Sequence, residues 1–385
     1  MTGLTYRPSL DGVRGIAVLS VVMAHAQALI FGRPILGWFD FSGGFIGVDI
    51  FFVLSGFLIT SLLLQEHQSS GTISLKNFYV RRALRLLPAL VLLLVAMLIY
   101  SRFALSAEIA RQTLRFAGIV ILYITNWMRA FEWIPGSDLL GHLWSLAVEE
   151  QFYLLWPPVL LILLRLRMPR RAFVILIVGL IVLVIMHRVD VLIRGGIWEG
   201  RVYLGSDTRA DSLLVGCLVA MLHHWRMLPE GKLFRLLSRT SALIALSVLF
   251  IYFVDAFGIR TRTFFTIGLT VVALAVGVVL LQAMQTFGNP LLFVLQNELL
   301  VYVGKISYGL YLWHVFAIRI TLGVPVGNAM KFVLSLAGLF GIAATSFYCI
   351  ERPFLRLKKG FASSVQATSE TPRVIDTALA TAEGS

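Results

Sequence analysis

Arg14 and His25 stand inside the first long apolar run of the chain, Ser9 to Leu29 (SLDGVRGIAVLSVVMAHAQAL). A helix that spans a membrane needs ~20 mostly apolar residues, and a charge placed within one is costly enough to mark a functional site. Eleven residues separate the two, which puts them ~20° apart around a helix and ~16 Å apart along it. They face the same way at different depths. An imidazole that is neutral near pH 7 suits a general base, so His25 reads as a base with a cation below it. Asp11, one turn before Arg14, can pair with it. The plainer alternative has Arg14 reaching back to the interface and His25 capping a buried carbonyl.

Polar residues recur at depth in later apolar runs. Asp49 lies in GVDIFFVLSGFLIT beside small residues that admit a neighbouring helix, where it can pair with a cation or orient His25. The stretch FYVRRALRLLPAL brings Arg81, Arg82 and Arg85 within one turn. Such a guanidinium cluster suits phosphate, whose oxygens accept its forked hydrogen bonds, though it also suits a lipid headgroup anchor. In GHLWSLAVEEQFYLLWPP, His142, Ser145 and Glu149 form one polar face that Tyr153 continues, with Glu150 alongside. That face must point into a cavity, because lipid does not tolerate it. A hydrolytic triad fits poorly, since all three stack on one helix and Ser145 lacks a nucleophile elbow. The face reads instead as a grip on an acceptor's hydroxyls or a counterweight to Arg14. In SDTRADSLLVG, Arg209 and Asp211 with Asp207 read as a self-paired cap or an acceptor contact. In ISYGLYLWHVFAI, Tyr308, Tyr311 and His314 enter the membrane; such residues suit sugar, and interfacial belts use them too. His314 is the weaker histidine, having no basic partner one face-repeat away.

Composition says what elements must position these groups. Of 385 residues, 58% are hydrophobic and 14% charged, and the mean hydropathy is +0.86. A soluble domain of this length is excluded. The formal net charge of +13 does not point to nucleic acid, because Lys and Arg cluster at the ends of apolar runs as in membrane proteins. Cys217 and Cys349 lie in apolar runs, so neither a disulfide framework nor metal-type spacing is present. The expected fold is all-α and polytopic, with about ten spans near 10–30, 44–65, 86–105, 143–164, 172–189, 208–225, 241–257, 264–284, 305–323 and 329–350. A basic loop with Lys76 leads into the third. The basic loops after the second, fourth, sixth and tenth spans belong in the cytoplasm, which places both termini there. Thr113 to Trp127 is apolar but short, and reads as a re-entrant or interfacial helix on the outer side. Residues 1–360 form one membrane domain, and the Ser, Thr, Ala and Glu tail over 361–385 is expected to be disordered.

Taken in order, RPSLDGVRGIAVLSVVMAHA, GVDIFFVLSGFLIT, FYVRRALRLLPAL, HLWSLAVEEQFYLLWP, TRADSLLVG and ISYGLYLWH resemble the acyltransferase family 3 of integral membrane O-acyltransferases, over residues 7 to 357. The resemblance implies a ten-span enzyme of the bacterial inner membrane. It would move an acyl group, usually acetyl, from cytoplasmic acyl-CoA to a hydroxyl of an acceptor, commonly a cell-surface carbohydrate or glycolipid. It also implies that Arg14 and His25 are the essential pair, that Arg81, Arg82 and Arg85 hold the CoA, and that no tightly bound cofactor or metal takes part. Some relatives carry an extracytoplasmic esterase-like domain; the chain ends soon after its last span, so a second step would need another protein. A rival reading is a transporter of a solute or lipid-linked sugar, against which the lack of an inverted repeat counts.

Overall fold

In a computed structural model, residues 6–32, 40–133, 139–194, 198–229, 231–254, 262–284 and 290–358 are described, and among them every regular element is a helix. The expected tail over 361–385 lies outside the described residues.

Helix α1 (Pro8–Ala26) starts on a proline, whose missing N–H is no loss in a first turn, and ends in a π-helical turn, Gln27–Phe31. A short 3₁₀ turn, Ser42–Phe45, leads into α2 (Ile46–Ser70), which Gly71 closes at φ 76°. The basic stretch expected as a loop is helical. Ser74 caps α3 (Leu75–Ala104) by accepting the Asn77 N–H at 3.4 Å, so Lys76 and the three arginines lie in its first turns. The short segment 113–127 is split between α4 (Ala107–Ile121) and α5 (Thr125–Ala130), broken at Tyr123 with φ 53°. Helix α4 buries Phe116, Ala117 and Val120 and exposes Arg111 and Gln112, as an amphipathic helix too short to span.

The chain continues through α6 (Trp144–Arg165), entered by a 3₁₀ turn at Gly141–Leu143, and α7 (Arg170–Arg194). Short α8 (Trp198–Leu204) precedes α9 (Ser206–His224) and α10 (Lys232–Phe253). After a π turn come α11 (Leu269–Ala283), α12 (Pro290–Leu295), α13 (Glu298–Lys305) and α14 (Ser307–Leu322). The last two are α15 (Asn328–Ser346) and α16 (Arg352–Lys358), joined by a π turn.

Among the described residues, seven helices are long and apolar enough to cross a membrane, and eight if α13 and α14, bent by 74°, make one span. The two other expected spans are α9 and α10. Helix α9 carries Asp207, Arg209 and Asp211, and the apolar part of α10 is the short Arg239–Phe253.

Polarity runs inside out. Val91, Val95 and Ile99 of α3 and Ile175, Leu183 and Met186 of α7 are exposed, whereas Asp49, Arg188, Arg209 and Asp211 are fully buried. An apolar rim around a charged interior is the arrangement a lipid solvent selects. Helix α9 packs closely along α2. A Cβ on Gly56 would strike the Leu213 carbonyl, and one on Gly216 would strike Val53 and Phe57 backbone atoms. Small residues at such crossings let membrane helices touch.

Candidate active site

Two cavities lie end to end in the bundle, of about 460 Å³ and about 180 Å³. His25, Asp49, Arg129, His142 and Tyr203 line the larger. Arg14, Arg82, Arg85, Ser145, Glu149, Tyr153 and Tyr308 line the smaller. Val48 and Tyr311 belong to both walls. Arg14 and His25, on one face of α1, therefore serve two chambers; Ser145, Glu149 and Tyr153 of α6 face the smaller one, and His142, in the turn before α6, faces the larger.

Three histidines from distant parts of the chain meet at the larger chamber: His25 and His142 line it, and the buried His314 packs against both. The ring of His314 lies 4.8 Å from that of His25 and 4.8 Å from that of His142, both edge-on. His25 Nδ1 lies 2.9 Å from the Val21 carbonyl. A carbonyl only accepts, so Nδ1 carries the hydrogen and Nε2 keeps a lone pair. His314 Nδ1 meets the Tyr311 carbonyl at 2.6 Å and His142 Nε2 the Leu312 carbonyl at 3.2 Å. Their remaining nitrogens, His314 Nε2 and His142 Nδ1, are buried with no hydrogen-bond partner among the described residues.

Tyr311 pins the shared wall. Its hydroxyl donates to the His142 carbonyl at 2.5 Å and meets Ser145 Oγ at 2.5 Å. The bonds join α14 to the start of α6.

In the smaller chamber Arg14 pairs with Asp11 at 2.8 Å, one turn away as the spacing predicts. Arg82 is bidentate to Glu150 and lies 3.2 Å over the Tyr153 ring centre. Glu149 accepts from Ser55 Oγ at 2.9 Å, and Tyr308 donates to the Leu86 carbonyl at 2.9 Å. Arg85 lines the chamber, exposed, with no ion pair among the described residues.

Residues 7–351 match the family model described as "Acyltransferase domain". The chain belongs to the acyltransferase 3 family. It is 34% identical over 375 residues to Peptidoglycan O-acetyltransferase OatA of Listeria monocytogenes, covering 92% of this chain and 58% of the relative. It is 33% identical over 362 residues to Putative peptidoglycan O-acetyltransferase YrhL of Bacillus subtilis, covering 90% and 55%. O-acetyltransferase OatA of Staphylococcus aureus is 34% identical over 328 residues, covering 80% and 50%. The chain thus spans between half and three-fifths of the length of these relatives. No solved structure matches.

Within this family member several expected residues have other employments. Arg81 does not line the smaller chamber: it pairs with Glu66 at 3.0 Å, both buried, while Arg85, four residues on along the same helix, reaches the chamber. Asp49 does not orient His25: it pairs with Arg209 at 2.8 Å and takes Ser212 at 3.3 Å. Asp211 is neither a cap partner nor a wall of either chamber. It pairs at 2.8 Å with Arg188 of α7, which also donates to the Thr208 and Thr266 carbonyls. These buried pairs tie α9 to α2 and α7, and Arg209 and Asp211 are thereby supports. Asp207 pairs with Arg201 and His187.

Sequence reasoning missed Arg129, Arg188 and the meeting of His314 with His25. Arg188 offered a signal, an arginine near the end of an apolar run. Arg129 offered little, because it lies in a short segment without periodicity. Ring contacts between helices leave no trace in local spacing.

Proposed function

We propose that this chain is a multi-pass membrane O-acyltransferase that moves an acetyl group from cytoplasmic acetyl-CoA to a carbohydrate hydroxyl, with His25 as general base. The observation that carries this is the pair of abutting chambers, one with an imidazole lone pair and one with an uncommitted guanidinium. Arg85, with Arg82 and Arg14 nearby, receives the CoA phosphates at the cytoplasmic mouth, and the pantetheine arm runs along the smaller chamber. The acceptor enters the larger chamber from the opposite side. Both termini are then cytoplasmic and the membrane is the bacterial inner membrane. Peptidoglycan, for which the Listeria and Bacillus relatives are named, is the leading acceptor.

The step balances without a further reagent. The acceptor oxygen attacks the thioester carbonyl carbon as His25 Nε2 takes the hydroxyl proton. The electron pair moves to the carbonyl oxygen and returns to expel sulfur, and the proton held by His25 leaves with the CoA thiol. Acetyl-CoA and alcohol give ester and CoA. Remote CoA contacts position the thioester in advance of the chemistry.

The test is calorimetric titration of acetyl-CoA into the protein in nanodiscs, for wild type and Arg85→Ala. Micromolar binding that the variant weakens is the expected result. Absence of binding to the wild type would mean another donor.

A further inference from the structure

Most of the interior arginines are matched by a carboxylate. Arg14 has Asp11, Arg81 has Glu66, Arg188 has Asp211 and Arg209 has Asp49. Arg85 and Arg129 break the pattern, since neither has an ion pair among the described residues. A guanidinium that lines a cavity without a counter-charge keeps its donors free for an anion that comes and goes, and for the partly buried Arg129 the lack of a counter-charge also costs desolvation. For Arg85 that anion is the CoA phosphate.

Arg129 lines the other chamber, as His25 does. Its charge reaches both His25 and His142. One bond fixes it: Nη1 donates to the Gly141 carbonyl at 2.6 Å. A guanidinium has five N–H donors, so the others remain for the chamber. The helix beneath is braced on three sides. Asn126 of α5 donates to the Leu204 carbonyl at 3.2 Å and to Ser206 Oγ at 2.9 Å, and accepts from Gln151 at 2.9 Å. The donor is thus fixed in place before any substrate arrives.

We propose that Arg129 binds the thioester carbonyl oxygen as it becomes an anion, acting as the electrophilic partner of His25 in acyl transfer. The inference rests on the acetyl-CoA reading above. When the acceptor oxygen bonds to the carbonyl carbon, the pair displaced onto the carbonyl oxygen sits against the guanidinium, and it returns to the carbon as the C–S bond breaks. A fixed donor aimed at developing charge works without reorganising as the reaction proceeds.

The test uses the full chain in nanodiscs with acetyl-CoA and a soluble peptidoglycan oligosaccharide, following release of the CoA thiol. Arg129→Ala is expected to lower kcat by about 10²-fold or more, to keep the acetyl-CoA Kd within about twofold of wild type, and to regain turnover when guanidinium is added. A kcat within about threefold of wild type would overturn the proposal. So would an effect confined to the acceptor KM, which marks a grip on the acceptor instead. A lowered melting temperature without guanidinium rescue would reduce Arg129 to a clamp on Gly141. Should Arg129→Ala fail to fold, Arg129→Gln, which keeps a polar amide and removes the charge, carries the same comparison of kcat with Kd. A wild type that neither binds acetyl-CoA nor releases thiol overturns the donor reading and this one with it. A wild type that turns over no faster than Arg129→Gln overturns this one alone.

Discussion

Arg81 and Arg85 differ in what their neighbours leave free. Arg81 is buried against Glu66, so its guanidinium neutralises a carboxylate that α2 has carried inside. Arg85 faces the smaller chamber uncommitted. Replacing them one at a time should separate structure from binding. Arg85→Ala is expected to raise the acetyl-CoA KM about tenfold or more, since a charge-assisted bond to phosphate contributes ~1.5–3 kcal/mol, while leaving thermal unfolding unchanged. Arg81→Ala strands a buried carboxylate and is expected to cost ~3–5 kcal/mol of stability, seen as a lower melting temperature with the acetyl-CoA Kd preserved. Equal effects of the two on the acetyl-CoA KM would restore Arg81 to the binding cluster. At His25 the helix's own Val21 carbonyl holds Nδ1, so no other residue is required to present Nε2. His25→Ala should lower transfer by at least about 10²-fold, the usual worth of a general base, with acetyl-CoA binding intact. An active His25→Ala would remove the base from the mechanism.

Between elements, the decisive contact is α14 against the start of α6, where Tyr311 stands in the wall the two chambers share. Tyr311→Phe keeps the ring and loses both bonds, and is expected to cost ~1–3 kcal/mol. Tyr311→Ala removes the ring and should widen the passage between the chambers, raising acceptor-independent hydrolysis of acetyl-CoA relative to transfer. Unchanged partitioning between water and acceptor would show that the wall lies elsewhere. Much at this scale is visible in local spacing. Asp11 with Arg14 and the polar face of His142, Ser145, Glu149 and Tyr153 follow from helical periodicity alone, because each lies within one element. What spacing cannot supply is which helices pack together. His314 therefore looked isolated, although it lies 4.8 Å from His25 in the fold. Asp49 sat equally well with His25 or any cation until α9 brought Arg209 to it. The start of α3 was placed too late, because basic residues resemble a loop to a hydropathy reading, while the Ser74 cap acts through a hydrogen bond.

For the whole molecule, the acetyl-CoA reading stands on orientation. Arg85 can meet a cytoplasmic nucleotide only if the start of α3 faces the cytoplasm, and the same sense of insertion places the α6–α7 connection inside and α4 outside. Excess Lys and Arg in short loops favours this sense: Arg165, Arg167, Arg170 and Arg171 crowd the α6–α7 connection. Helix α4 is amphipathic and bears Arg111 and Glu108 on its exposed side, as a helix lying in an interface would. The chain has one exposed cysteine, Cys349, and one buried, Cys217, so Cys349→Ser leaves a background nearly silent to an impermeant maleimide. On that background, Arg111→Cys should label in intact cells, and Pro169→Cys, in the exposed α6–α7 connection, only after the membrane is opened. The reverse pattern would turn Arg85 outward and leave cytoplasmic acetyl-CoA without a binding site. Labelling of both in intact cells would make the segment over α4 and α5 a crossing, and Arg129 would then belong to a span instead of a braced surface helix.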